Sequence, residues 1–251
     1  MPAIFQTFIK NYLLSWDGCE NRDHILELME YLPRHSFENL QKDFFSTLEE
    51  KLLGAQPTPR AAVLDFYSSL VRQWGVALRA EQAPSASDDF APLTPLIRHV
   101  ELLVLTVLEL PPSVNGDNMD QQPISSAILR FYMTLADIFT YASDNGHIRL
   151  DIPLAPTIYI LAFTSSLAQI SLLCSALGSY KFSFEASLTS QTLQSPKSST
   201  APYPPQILGQ FNGYIMDLCN LIWRNRGLNI DDPNALEIGR ASCRERVCLA
   251  V

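Results

Sequence analysis

The sequence predicts an all-α fold, a HEAT-like solenoid of stacked helical hairpins, with an irregular helical bundle as the competing architecture. Three observations carry this. Apolar residues recur at three- and four-residue spacing in segment after segment, as in helices with one buried face. No strand-length alternation stands out. The chain has 251 residues, 47% hydrophobic and 18% charged, which suffices for a sizeable core and is too apolar for a disordered chain. No fixed repeat period is visible, and an irregular stack tolerates that because each hairpin contacts only its neighbours.

The first helix places Phe5, Phe8, Ile9, Tyr12, Leu13 and Trp16 on one face. The second, from about Asp23 to Leu32, carries Ile25, Leu28, Met29 and Leu32, and Pro33 ends it. The third starts near Ser36 with a stripe of Phe37, Leu40, Phe44, Leu48 and Leu52, closed by Gly54 as a left-handed cap. In the fourth, Thr58 is the predicted cap and Pro59 the first helical residue. Its stripe is Val63, Phe66, Tyr67, Leu70, Val71, Trp74 and Leu78.

Thr94 and Pro95 repeat that start for a helix through Leu110. It is apolar almost all round, which predicts a helix sandwiched between neighbours. Next, Ile124 to Ser143 buries Ile128, Phe131, Tyr132, Leu135, Ile138 and Phe139. Ile158 to Leu177 holds no charge over twenty positions, long enough for a membrane span. Its serines, its Gln169 and the lack of a basic flank favour one buried helix instead. The last helix, about Gln206 to Arg226, turns Phe211, Tyr214, Ile215, Leu218, Leu221 and Ile222 inward. Polar stretches near 80–92, 111–123 and 189–205 read as loops, the third as a disordered insertion.

Chemistry is sparse. A charge of −8, from 18 basic and 26 acidic residues, argues against a chain that mainly coats nucleic-acid phosphates. Five Cys form no CxxC pair, and with no secretory signal read at the N-terminus they predict free thiols in a reducing compartment. His24, beside Asp23, Glu27 and Glu30, is expected on a solvated helix face. Cys174 and Cys219 lie in apolar helical stretches and are expected to pack as small hydrophobes. Asp231-Asp232 lacks the spacing of a calcium loop. There is no phosphate loop, dinucleotide glycine pattern or GxSxG. Neither an enzyme nor a cofactor or metal site is therefore predicted.

Trp223, Arg224 and Arg226 form a basic-aromatic end to the last helix. Cations suit a helix C-terminus; the sharper reading is a partner interface with an acidic surface. Trp16, Trp74 and Trp223 all fall on or beside apolar stripes, where core packing is the default.

From Glu237 the text changes. Glu237-Ile238-Gly239-Arg240-Ala241-Ser242-Cys243-Arg244-Glu245-Arg246-Val247 resembles an in-frame translation of a sequencing adapter. Residues 237–251 are expected to be non-native, leaving an α-solenoid over 1–236. Without that tail's three Arg and two Glu the charge becomes −9, and Cys243 and Cys248 drop out.

Several segments, taken in order, resemble the centromere protein I (Mis-six-like) family of inner-kinetochore subunits in a fungal version. They are Phe8 to Gly18, Asn21 to Leu28 and Tyr31-Leu32-Pro33, then Leu172 to Leu177 with Tyr180-Lys181 and Phe184-Glu185. Phe211 to Tyr214, Leu221 to Arg226 and Asp232 to Leu236 follow. Members are several times longer, so a fragment of the C-terminal half is expected. The resemblance implies an α-helical scaffold of the constitutive centromere-associated network in the nucleus. It implies centromere protein H and K subunits as partners, contact with centromeric chromatin through others, and a role in kinetochore assembly and chromosome segregation. A generic HEAT-type adaptor and a protein spanning a membrane near 158–177 are the alternatives.

Overall fold

The computed structural model describes residues 2–34, 36–54, 57–80, 93–109, 122–142, 151–163, 166–189 and 205–224. Every regular element among them is helical: α1 (Ala3–Ser15), α2 (Arg22–Met29), α3 (Phe37–Leu40), a π turn (Gln41–Phe45), α4 (Ser46–Leu53), α5 (Pro57–Ala80), α6 (Leu93–Glu109), α7 (Gln122–Ala142), α8 (Ala155–Ala162), α9 (Leu167–Thr189) and α10 (Pro205–Arg224). The all-α prediction holds. Most of the expected loops, and the whole tail 237–251, lie outside the described residues. At their edges Ala80, Pro123, Thr189 and Pro205 belong to helices.

A compact turn joins α1 to α2. Asp17 accepts the backbone N–H groups of Cys19 (2.9 Å) and Glu20 (3.0 Å). The Trp16 indole N–H donates to the Glu20 carbonyl at 2.7 Å, with its ring buried. Gly18 has φ +83°, and a Cβ there would meet the Lys51 carbonyl oxygen at 3.2 Å. Glycine is thus required on both counts. Burial in α1 covers Ile9, Leu13 and Trp16, but Phe5 and Phe8 are exposed, contrary to expectation: no described element covers that side. In α2 the inward residues are Ile25, Leu26 and Met29, and Leu28 faces out.

The third predicted helix is interrupted by the π turn, which brings consecutive Phe44 and Phe45 inward alongside Leu40, Leu48 and Leu52. Gly54 is right-handed, φ −69°, not the left-handed cap expected. Here the Arg60 guanidinium donates to the Leu53 carbonyl at 3.0 Å, supplying one partner that the end of α4 needs. Helix α5 starts at Pro57 and α6 at Leu93, so Thr58 and Thr94 sit inside the first turn rather than capping it. Prolines at the first helical turn lose no helical bond.

Helix α5 packs on α7 and α7 on α9; α6 packs on α8 and α8 on α10. These contacts make two layers, with α5, α7 and α9 in one and α6, α8 and α10 in the other, a solenoid-like stack. Polar ties run along the first layer. Arg72 donates to Thr134 (3.1 Å), Ser183 donates to the Ala136 carbonyl (2.8 Å), and Arg130 donates from Nε and Nη2, one edge of its guanidinium, to both carboxylate oxygens of Asp65. The stripe of α5 from Val63 to Trp74 is buried as predicted. Helix α6 is less enclosed than expected: it buries Leu96, Val100, Leu103 and Val104 but exposes Leu102.

The twenty-residue uncharged segment does not form one helix. Helix α8 has 8 residues and ends at Ala162, and α9 begins at Leu167. Phe163 and Ser166, the described residues between them, are both outside any helix. Among the described residues no helix is long and apolar enough to cross a membrane. The span near 158–177 is thereby corrected to a helical break.

Candidate partner interface

Helix α8 is mostly apolar, with Thr157 as its buried polar exception, and it packs against α6, α9 and α10. Part of its surface stays uncovered. Tyr159, Ile160 and Phe163 are exposed, as are Leu167 at the start of α9 and Met216 on α10. Between α8 and α10 lies a cleft of about 430 Å³ lined by Ile158, Tyr159, Phe163, Tyr214, Met216 and Asp217, among others. Its polar lining includes Asn220 and one hydrogen-bonded pair: the Tyr159 hydroxyl donates to Asp217 at 2.6 Å. That bond, reinforced by some burial and the Asp217 charge, pushes the Tyr159 phenol up to about 12.

The floor is fixed by Tyr214. Its ring stands edge-on to Tyr159, centroids 6.0 Å apart. Its hydroxyl donates to the Pro153 carbonyl at 3.2 Å and accepts from Gln210 at 2.7 Å. Aromatic and Met side chains around one carboxylate suit protein contact, since interfaces are enriched in such residues and depleted of most charges. Asp217 offers an acceptor to an incoming cation or N–H donor.

Of the predicted interface residues, Trp223 and Arg224 fall in the last turn of α10, beyond the cleft residues Asn220 and Leu221. Arg226 lies outside the described residues, as does Asp231-Asp232. His24 is exposed with Glu27 at 3.9 Å, a solvated face as expected. Trp16 and Trp74 are core residues. Cys174 is half-buried, and burial, with a smaller push from Cys219, raises its thiol. Cys219, expected in the core, is exposed instead. It sits one position past Leu218, off the buried stripe. Among the described residues no group of three or more His, Cys, Asp or Glu is arranged to hold a metal. Sequence reasoning missed Tyr159 and Asp217. The available signal was Asp217 inside an otherwise apolar run of α10.

No protein-family model matches the chain. Curated proteins similar along nearly all of it include the following two. Centromere protein I of Rattus norvegicus is 24% identical over 252 aligned residues, covering 92% of this chain and 31% of the relative. Centromere protein I of Gallus gallus is 20% identical over 236 residues, covering 90% of this chain and 30% of the relative. The chain spans less than a third of these proteins' length, and its similarity to Centromere protein I, at low identity, covers about nine-tenths of the chain.

Proposed function

We propose that this chain is part of a non-enzymatic scaffold subunit of the inner kinetochore, in the nucleus at the centromere, supporting kinetochore assembly and chromosome segregation. The observation that carries the reading is similarity to Centromere protein I over nine-tenths of the chain. The layered helices fit it, because a stack offers long surfaces for partners and needs no catalytic pocket for that role. The residues quoted for the resemblance favour a fungal-type segment with HEAT-like hairpins. The partners are subunits of the centromere protein H and K type, and chromatin is reached through them. They engage the α8–α10 cleft, the adjoining end of α10 at Trp223 and Arg224, and Arg226 two positions further along the sequence.

The test has two arms. The full-length protein carrying a fluorescent tag should form foci at centromeres; diffuse nuclear or cytoplasmic signal would favour a generic helical adaptor. Purified chain should retain recombinant centromere protein H and K subunits. Met216→Glu and Asp217→Arg, both at exposed positions, should weaken that retention while leaving the helical spectrum unchanged. Undiminished retention moves the interface elsewhere on the stack.

A further inference from the structure

Four buried polar atoms lie together where α6, α7, α8 and α9 meet. The Glu101 carboxyl and the hydroxyls of Tyr132, Thr157 and Tyr180 are shielded from solvent, and one oxygen of each has no hydrogen-bond partner among the described residues. The rings of Tyr132 and Tyr180 stand 6.4 Å apart, nearly edge to face. Glu101 acts electrostatically on both phenols, and Thr157 lies beside the Tyr132 hydroxyl without a direct bond of good geometry. A buried polar atom without a partner is costly, and folded proteins meet such clusters with ordered water that makes about three hydrogen bonds. The chemistry here matches: three hydroxyls and a carboxyl donate and accept in every direction a water needs.

We propose that Glu101, Tyr132, Thr157 and Tyr180 enclose ordered water, and that ionisation of Glu101 loosens α6 against its neighbours. The stack would thus carry a proton-sensitive joint at its centre. A neutral carboxyl completes a hydrated network, whereas a carboxylate there needs a counter-charge. From α6 itself Arg98 favours the charged form. Asp151, in the segment before α8, opposes it. From α7 and α9 the facing groups are Tyr132 and Tyr180, from α8 Thr157, and from α10 Tyr214, whose hydroxyl is engaged with Pro153. Burial first and Asp151 second hold the Glu101 carboxyl up at about 7. The joint is therefore set to respond near neutrality.

A carbon-13 titration of the Glu101 carboxyl in the whole chain tests this without requiring any variant to fold. The expected midpoint is near 7; a midpoint in the ordinary carboxylate range overturns the proposal. Hydrogen exchange of α6 and α8 amides, corrected for intrinsic chemistry, should rise about tenfold between about pH 6 and 8 and stay flat in Glu101→Gln. Equal profiles overturn it. Tyr132→Phe, which keeps the ring and removes one donor, should move the midpoint further up. Long-lived water cross-peaks to the Tyr132 and Tyr180 ring protons are expected, and their absence rejects the water.

Discussion

The indole N–H of Trp74 in α5 donates to the Leu32 carbonyl at 3.0 Å, bridging 42 positions of sequence. Both residues are buried, and the bond fastens the chain that leaves α2 to the middle of the stack. Trp74→Ala should cost about 3–5 kcal/mol, the range for truncating a buried large aromatic. An unchanged denaturation midpoint would place Trp74 outside the core. Trp74→Phe should fall between, since it keeps a ring but leaves Leu32 without its donor.

Gly75 follows in the same helix, and the reason for glycine is α7. A Cβ there would lie 2.8 Å from Ile138 Cγ2. Alanine in a helix interior ordinarily gains about 0.5–1 kcal/mol over glycine. Here the clash decides the sign, and Gly75→Ala should destabilise by about 1–3 kcal/mol. Combining it with Ile138→Ala should recover part of that loss in a double-mutant cycle; strict additivity would show that the two sites do not touch.

Glu49 joins three elements. It accepts the Tyr67 hydroxyl from α5, and His99 Nε2 of α6 lies 2.7 Å from the same oxygen. Glu49→Ala leaves a fully buried phenol without its acceptor, at a cost of about 1–3 kcal/mol. Tyr67→Phe in the Glu49→Ala background should restore stability. Further loss would mean that the phenol finds another partner.

The pH profile should carry two opposing limbs. Glu101 is held near 7 in the fold against an ordinary 4.5, so the folded state binds the extra proton between those values. Its contribution is complete below about pH 4.5 and is lost as pH rises through about 7, to a limit of about 3 kcal/mol at 1.36 kcal/mol per unit. Asp17, held down by the N–H groups of Glu20 and Cys19, acts the other way: its contribution is lost as the solution turns acid. Melting temperatures measured from about pH 3 to 8.5 should show both limbs. Glu101→Gln should remove only the neutral one.

What the sequence disclosed follows from what periodicity encodes. The α5 stripe was legible residue by residue because Val63, Phe66, Tyr67, Leu70, Val71 and Trp74 keep helical spacing and neighbours flank the helix. Phe5 and Phe8 share such a stripe yet lie exposed, since spacing defines a face and not what covers it. The α8–α9 break was hidden because apolar residues fall on every face of the uncharged run, so no single stripe shows a loss of phase. Glu101 was passed over among the leucines and valines of α6, although a lone charge on an apolar stripe is itself a signal. The cleft needed three dimensions: Tyr159 and Asp217 are 58 positions apart.

The π turn at Gln41–Phe45 solves a problem of angular phase. Leu40, Phe44, Leu48 and Leu52 recur every four residues, and on an α-helix each such step overshoots a full turn by about 40°. By Leu52 the stripe would have wound about 120° away from Leu40. A wider turn advances less per residue and takes back part of that drift, so all four side chains stay on the core. In this segment an unbroken four-residue spacing of large apolar residues encodes an underwound helix, and the same spacing on an ideal one would have turned Leu52 out to water.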